Sequence, residues 1–149
     1  MIEGVRIIDL KRSKDVRGEL LHMLRSDAPH FLGFGEIYFS SINPDAVKAW
    51  HLLENATRHY AVPVGNVKIV LYDDREGRKT AGTIQEVLLG EDHYGLLVIP
   101  PRIWSGFAAL GGKPALVADC TTLPHDPKQS RKRDPGDPAI PYRWEETGR

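Results

Sequence analysis

The chain is made of apolar runs that are too short for helices and are interrupted at strand-like intervals. They fall at 5–10, 19–24, 35–42, 47–53, 60–64, 67–72, 84–89, 96–99, 104–110 and 115–121. Asp15-Val16-Arg17-Gly18 opens the second run, and Asn43-Pro44-Asp45 closes the third. Val64-Gly65-Asn66 and Leu110-Gly111-Gly112-Lys113 have the composition of tight hairpin turns. No 11-residue window carries a clear 3.6-residue period, and no internal repeat is present. This pattern predicts an all-β antiparallel sandwich or barrel.

At 149 residues the chain reads as one domain, 1–149, large enough to bury a single core. Twenty Lys and Arg balance twenty Asp and Glu. A neutral chain offers no general attraction to nucleic acid or to acidic membrane surfaces, and it resists self-association weakly. The single cysteine, Cys120, rules out an internal disulfide and a cysteine-built zinc site. The sequence from Met1 to Arg6 lacks the apolar stretch of a signal peptide, and no run approaches the length of a membrane span. A cytoplasmic protein is expected.

Residues 124–149 change character. Prolines recur at 124, 127, 135, 138 and 141, around the basic cluster Lys128, Arg131, Lys132 and Arg133. Such a run is commonly a solvated tail. Tyr142 and Trp144 lie beyond the prolines, and two large aromatics there predict a segment that folds back and docks on the body of the protein.

His51 stands inside the run Val47-Lys48-Ala49-Trp50-His51-Leu52-Leu53. An imidazole there is a general base, a metal ligand or a hydrogen-bonded core group, and the last is the commonest of the three. Asp119, inside Val117-Ala118-Asp119-Cys120-Thr121, is a carboxylate in an apolar strand, which calls for a partner or a site.

Five motifs occur in order along residues 4 to 144. They are Gly4-Val5-Arg6-Ile7-Ile8 with Asp15-Val16-Arg17-Gly18; Tyr38-Phe39-Ser40-Ser41 before Val47-Lys48-Ala49-Trp50-His51; Gly65 to Arg75, ending Leu71-Tyr72-Asp73-Asp74-Arg75; Ile99-Pro100-Pro101-Arg102-Ile103-Trp104-Ser105-Gly106-Phe107; and Asp137-Pro138-Ala139-Ile140-Pro141-Tyr142-Arg143-Trp144. Together they resemble the dTDP-4-dehydrorhamnose 3,5-epimerase family. The resemblance implies a cupin-like jelly roll of two antiparallel sheets with the C-terminal segment docking on the barrel. It also implies a homodimer whose N-terminal strands add to the partner's sheet.

The chemistry implied is isomerisation of a nucleotide-linked 4-keto-6-deoxyhexose in deoxysugar biosynthesis, with no metal and no organic cofactor. A base removes the acidic proton beside the ketone, and a cation stabilises the enolate oxygen. By resemblance His51 is the base and Asp137 its carboxylate partner, with Asp134 as a neighbouring alternative. Arg58 stands near the position of the family's oxyanion lysine. Tyr60, two residues on and on the same strand face, is a candidate acid. Arg17 and Lys48 match positions that hold the diphosphate. Ser105 replaces a family histidine, and Asp119 lies near the family's proton-returning tyrosine, so both are expected at the substrate. Those replacements keep open a jelly roll that binds sugar nucleotides or serves as a scaffold without turnover. A metal-dependent cupin would draw on His51, Glu54 and His59, but the segment after Pro100 offers Ser105 where a histidine ligand is needed.

Overall fold

The computed structural model describes residues 1–144, so the last five residues of the expected C-terminal segment lie outside it. Twelve strands run in chain order: β1 Arg6–Asp9, β2 Arg12–Asp15, β3 Gly18–Leu21, β4 Glu36–Ile42, β5 Val47–Leu53, β6 Arg58–Val64, β7 Asn66–Tyr72, β8 Ile84–Gly90, β9 Gly95–Ile99, β10 Trp104–Ala109, β11 Ala115–Thr121 and β12 Ser130–Lys132. The first sheet has the order β1-β9-β6-β11-β4, the second β12-β5-β10-β7-β8, and β2 and β3 form a separate hairpin. Every ladder is antiparallel. The two sheets make the jelly roll that the resemblance implies, within the antiparallel all-β class that the short runs predict.

Two turn expectations need correction. The turn at Gly65 and the turn at Gly111-Gly112 do not close hairpins. β6 and β10 each end in one sheet, and β7 and β11 begin in the other. The composition was right for a tight reversal, but the chain changes sheet there. Gly65 shows why a glycine is needed: its φ is +77°, and a Cβ would lie 2.5 Å from the Pro114 carbonyl oxygen. β2 and β12 were not expected as strands. β2 has no apolar side chain, and β12 lies within the basic cluster.

Apolar residues pack in three places. Tyr60, Val62, Ile69, Leu71, Leu97, Ile99 and Phe107 belong to the core between the sheets. Trp50, Leu52, Val70, Trp104 and Ala108 form a second cluster with Ile140 and Trp144 of the C-terminal segment. Ala61, Leu96 and Val98 form a third, under Met23, Leu24 and Tyr94. β5 therefore has two working faces, with Trp50 and Leu52 holding the C-terminal segment and His51 between them pointing the other way.

The docked segment is tied down by main chain as well as by rings. Trp50 N donates to Arg133 O at 2.8 Å, and Arg133 N returns a bond to Trp50 O at 3.1 Å. Trp144 packs 5.2 Å from Trp50, and Tyr142 meets both indoles edge-on. Among the described residues no helix is long and apolar enough to cross a membrane.

Candidate active site

A cavity of about 220 Å³ opens between the sheets, beside the edge strands β4 and β12. His51 and Lys48 reach it from β5, and Lys132 from β12. Tyr38, Arg58, Tyr60 and Asp119 reach it from the first sheet. The volume is below the roughly 300–1,000 Å³ of pockets that enclose a drug-sized ligand.

Lys48 and His51 are three residues apart, which in a regular strand puts them on opposite faces. Here β5 carries one extra residue against β10. Ser105 pairs with His51, but Phe107, two residues on, pairs with Lys48. The bulge resets the alternation so that both side chains face the cavity. Gly106 sits opposite the bulge, where a Cβ would come within 2.5 Å of Ala49 Cβ and 3.0 Å of the Trp144 ring.

The first sheet contributes a polar row. Tyr38 on β4, Asp119 on β11 and Tyr60 on β6 are directly opposed in register. Tyr38 Oη donates to Asp119 Oδ2 at 2.7 Å. Arg58 Nε lies 3.2 Å from the same oxygen as an ion pair, without the alignment of a hydrogen bond. Arg58 Nη1 donates to Ser105 Oγ at 3.3 Å and Nη2 to Tyr38 Oη at 3.4 Å. Ser105 in turn bonds the Tyr60 hydroxyl. The guanidinium lies 5.7 Å above the Tyr60 ring, and Phe107 meets that ring edge-on. Burial pushes the Asp119 carboxyl up, partly offset by Arg58 and the Tyr38 hydroxyl. Burial and the Asp119 charge push the Tyr38 phenol up as well.

On the facing wall, burial lowers the His51 imidazole to about 4, and Arg58, Lys132 and Lys48 add to the effect. Lys132 lies opposite His51 in the β12–β5 ladder. Lys48 Nζ is held by Ser40 Oγ at 2.9 Å and Ser41 O at 2.5 Å. The imidazole is therefore neutral near pH 7, with three cations around it.

Of the expected residues, His51, Arg58, Tyr60, Lys48 and Asp119 share this cavity. Ser105 stands behind Arg58, fully buried, and holds the guanidinium. The expected pairing of His51 with Asp137 is not formed. Asp137 accepts from Arg133 Nη1 at 3.3 Å and from Ala139 N at 2.8 Å. It borders a different hollow, shared with Glu86 and Tyr142. Its turn belongs to the segment packed on Trp50, whereas His51 points to the opposite face of β5. Arg17 is also remote. It sits at the tip of the β2–β3 hairpin, almost fully exposed and paired with Asp15 at 2.6 Å.

The metal alternative fails on placement. His59 is buried with Nδ1 on Cys120 O at 3.0 Å, facing away from Arg58 and Tyr60 on the same strand. Glu54 pairs with Arg131, so His51, Glu54 and His59 do not converge.

Three titratable cavity residues have no role in the sequence reading: Lys132, Tyr38 and His125. Lys132 stands in the basic cluster of the segment expected to dock, with no role of its own. Tyr38 was noted as part of a motif without a role, although Glu36, Tyr38 and Ser40 alternate as polar positions on one strand face, which is a legible signal for a polar cavity wall.

The chain is similar to known proteins over nearly its whole length. Residues 1–148 match the family described as dTDP-4-dehydrorhamnose 3,5-epimerase. The chain is 35% identical over 143 residues to the probable low-salt glycan biosynthesis epimerase Agl13 of Haloferax volcanii, covering 95% of this chain and 88% of that one. It is 34% identical over 146 residues to the spore coat polysaccharide biosynthesis protein SpsL of Bacillus subtilis, covering 97% of each. Among solved structures, a dTDP sugar isomerase from Desulfovibrio desulfuricans G20 superposes with a TM-score of 0.94 at 47% identity. That match covers 97% of this chain and 92% of the other.

Proposed function

We propose that this chain, which belongs to the dTDP-4-dehydrorhamnose 3,5-epimerase family, is an isomerase of a nucleotide-linked 4-keto-6-deoxyhexose in carbohydrate biosynthesis. One observation carries this reading: His51 and Arg58 face the same cavity from opposite sheets. His51 removes the proton on the carbon next to the ketone. The electron pair moves into the C–C bond, and the carbonyl pair moves onto oxygen. Arg58 sits where a buried cation stabilises that oxyanion. Ser105 holds the guanidinium in place.

An imidazole lowered to about 4 is available as a neutral acceptor but is a weak base. Substrate binding corrects this. A diphosphate laid against Lys48 and Lys132 neutralises charges that disfavour imidazolium, so His51 becomes more basic when there is a proton to remove. Asp137 has no part in this account. Tyr60 lines the floor beneath Arg58, and Asp119 sets the position of the guanidinium.

The functional unit is a homodimer. The β2–β3 hairpin pairs with neither sheet of its own chain, and Val16 at its tip is fully exposed. A two-stranded hairpin alone is marginal in water. Ile37 and Phe39 are also exposed, on the edge strand β4. Dimerisation gives the hairpin a sheet to join, and it carries Arg17 toward a neighbouring cavity and its diphosphate.

The test is proton exchange. The protein is mixed with dTDP-4-keto-6-deoxyglucose in heavy water, and the C3 and C5 proton signals are followed by NMR. Loss of a signal with wild type, absent with His51→Asn, is expected. Binding of dTDP without exchange would leave a sugar-nucleotide-binding protein in place of the isomerase.

A further inference from the structure

Inverting a carbon requires a proton acceptor on one face and a proton donor on the other. Two of the chain's five tyrosines, Tyr38 and Tyr60, line the cavity, both on the sheet that faces His51. Their surroundings differ. Tyr60 is 4% exposed, its ring is covered by Arg58 and flanked by Phe107, and its hydroxyl is engaged by Ser105. Tyr38 is 37% exposed on an edge strand, and its hydroxyl sits beside both Asp119 and Arg58.

We infer that Tyr38 is the acid that returns a proton to the substrate carbon on the face opposite His51, and that Asp119 is a positioning residue that aims its hydroxyl. The inference rests on the isomerase reading above. In the forward step the C–H proton goes to the His51 imidazole and the enolate forms. In the return step the Tyr38 O–H turns from Asp119 Oδ2 to the enolate carbon, the carbonyl reforms, the C=C pair takes that proton, and a phenolate remains. Arg58 Nη2, already 3.4 Å from that oxygen, stabilises the phenolate charge. A proton then passes from imidazolium to phenolate through solvent, and the resting enzyme is restored.

Burial and Asp119 raise the phenol, so it is protonated throughout the working pH range. An enolate carbon is a stronger base than phenolate, so the transfer to carbon remains downhill. Asp119 explains why a carboxylate is kept inside an apolar strand. It holds Tyr38 and Arg58 on one oxygen, which fixes the donor and the oxyanion cation relative to each other.

Tyr38→Phe keeps the ring and removes the proton. In the heavy-water experiment two quantities are read separately: exchange of the α-proton, and appearance of the inverted product. With Tyr38→Phe, exchange dependent on His51 is expected to continue, because imidazolium still returns deuterium to the face it came from. Inversion is expected to fall by on the order of 10²–10⁴-fold, the usual contribution of a general acid. Tyr60→Phe is expected to leave the ratio of inversion to exchange as in wild type.

Inversion by Tyr38→Phe at the wild-type rate would overturn the assignment. So would equal loss of exchange and inversion, which signals a structural role. A separation of exchange from inversion in Tyr60→Phe would move the acid to Tyr60. If wild type shows neither exchange nor inversion, the isomerase reading itself fails, and this inference falls with it.

Discussion

Lys132 stands directly across from His51 in the β12–β5 ladder, so a cation faces the imidazole from a strand only three residues long. The imidazole is thereby tuned partly by the C-terminal segment, which also contributes His125 and Ser130 to the wall.

Lys132→Met tests that coupling. A base acts when neutral, so kcat/KM falls as pH drops through the His51 value of about 4. Burial is the largest cause of that low value and Lys132 one of the lesser ones, so the variant's imidazole rises part of the way toward 6.5. The acid limb of the pH–rate profile moves to higher pH. A limb that stays in place or moves down would sink the idea.

Arg58 and Asp119 are a buried ion pair, with side chains 11% and 1% exposed. Arg58→Met strands the carboxylate and is expected to cost about 3–5 kcal/mol in urea unfolding. Replacing both, with Arg58→Met and Asp119→Leu, removes the stranded charge and recovers part of the loss. A double variant less stable than Arg58→Met alone would show that the pair is not the source of the cost.

Asp137→Ala separates sequence motif from geometry. A carboxylate that orients a catalytic histidine is worth about 10⁴-fold in rate. With Asp137 bonded to Arg133 and Ala139 instead, the variant is expected to keep proton exchange within about 10-fold of wild type, a loss too small for that role. A loss near the larger figure would restore Asp137 as the partner of His51.

Trp144→Ala removes a buried ring that packs on Trp50 and is expected to cost about 3–5 kcal/mol. Because the same segment lays β12 on β5, activity should weaken before global unfolding as temperature rises. Coincident loss of activity and structure would show that the segment does not loosen separately.

Much of the fold was legible because alternation and turn chemistry agree over most strands. β5 and β11 fall on the expected ranges. β2 and β12 escaped notice because neither buries an apolar side chain, and their pairing comes from a hairpin and from docking. The site was legible where one strand carried the information, as with His51, Arg58 and Asp119. It was not legible where it depended on which strands lie side by side. Tyr38 meets Asp119 across 81 positions of sequence, and Lys132 meets His51 only because Trp50 captures the tail. Asp137 was misplaced for a related reason. A motif fixes order along the chain, but Arg133, four residues earlier, competes for the same carboxylate.

The extra residue in β5 makes chain length itself a determinant of the site. Removing one residue between Lys48 and His51 would restore regular pleating against β10, and one of the two would have to turn away from the cavity. Side chains here can be exchanged one at a time with graded effects. A change of parity offers no graded path. Between positions 48 and 51 the spacing is therefore held more tightly than the intervening residues, and a relative that differs there should differ in identity, not in count.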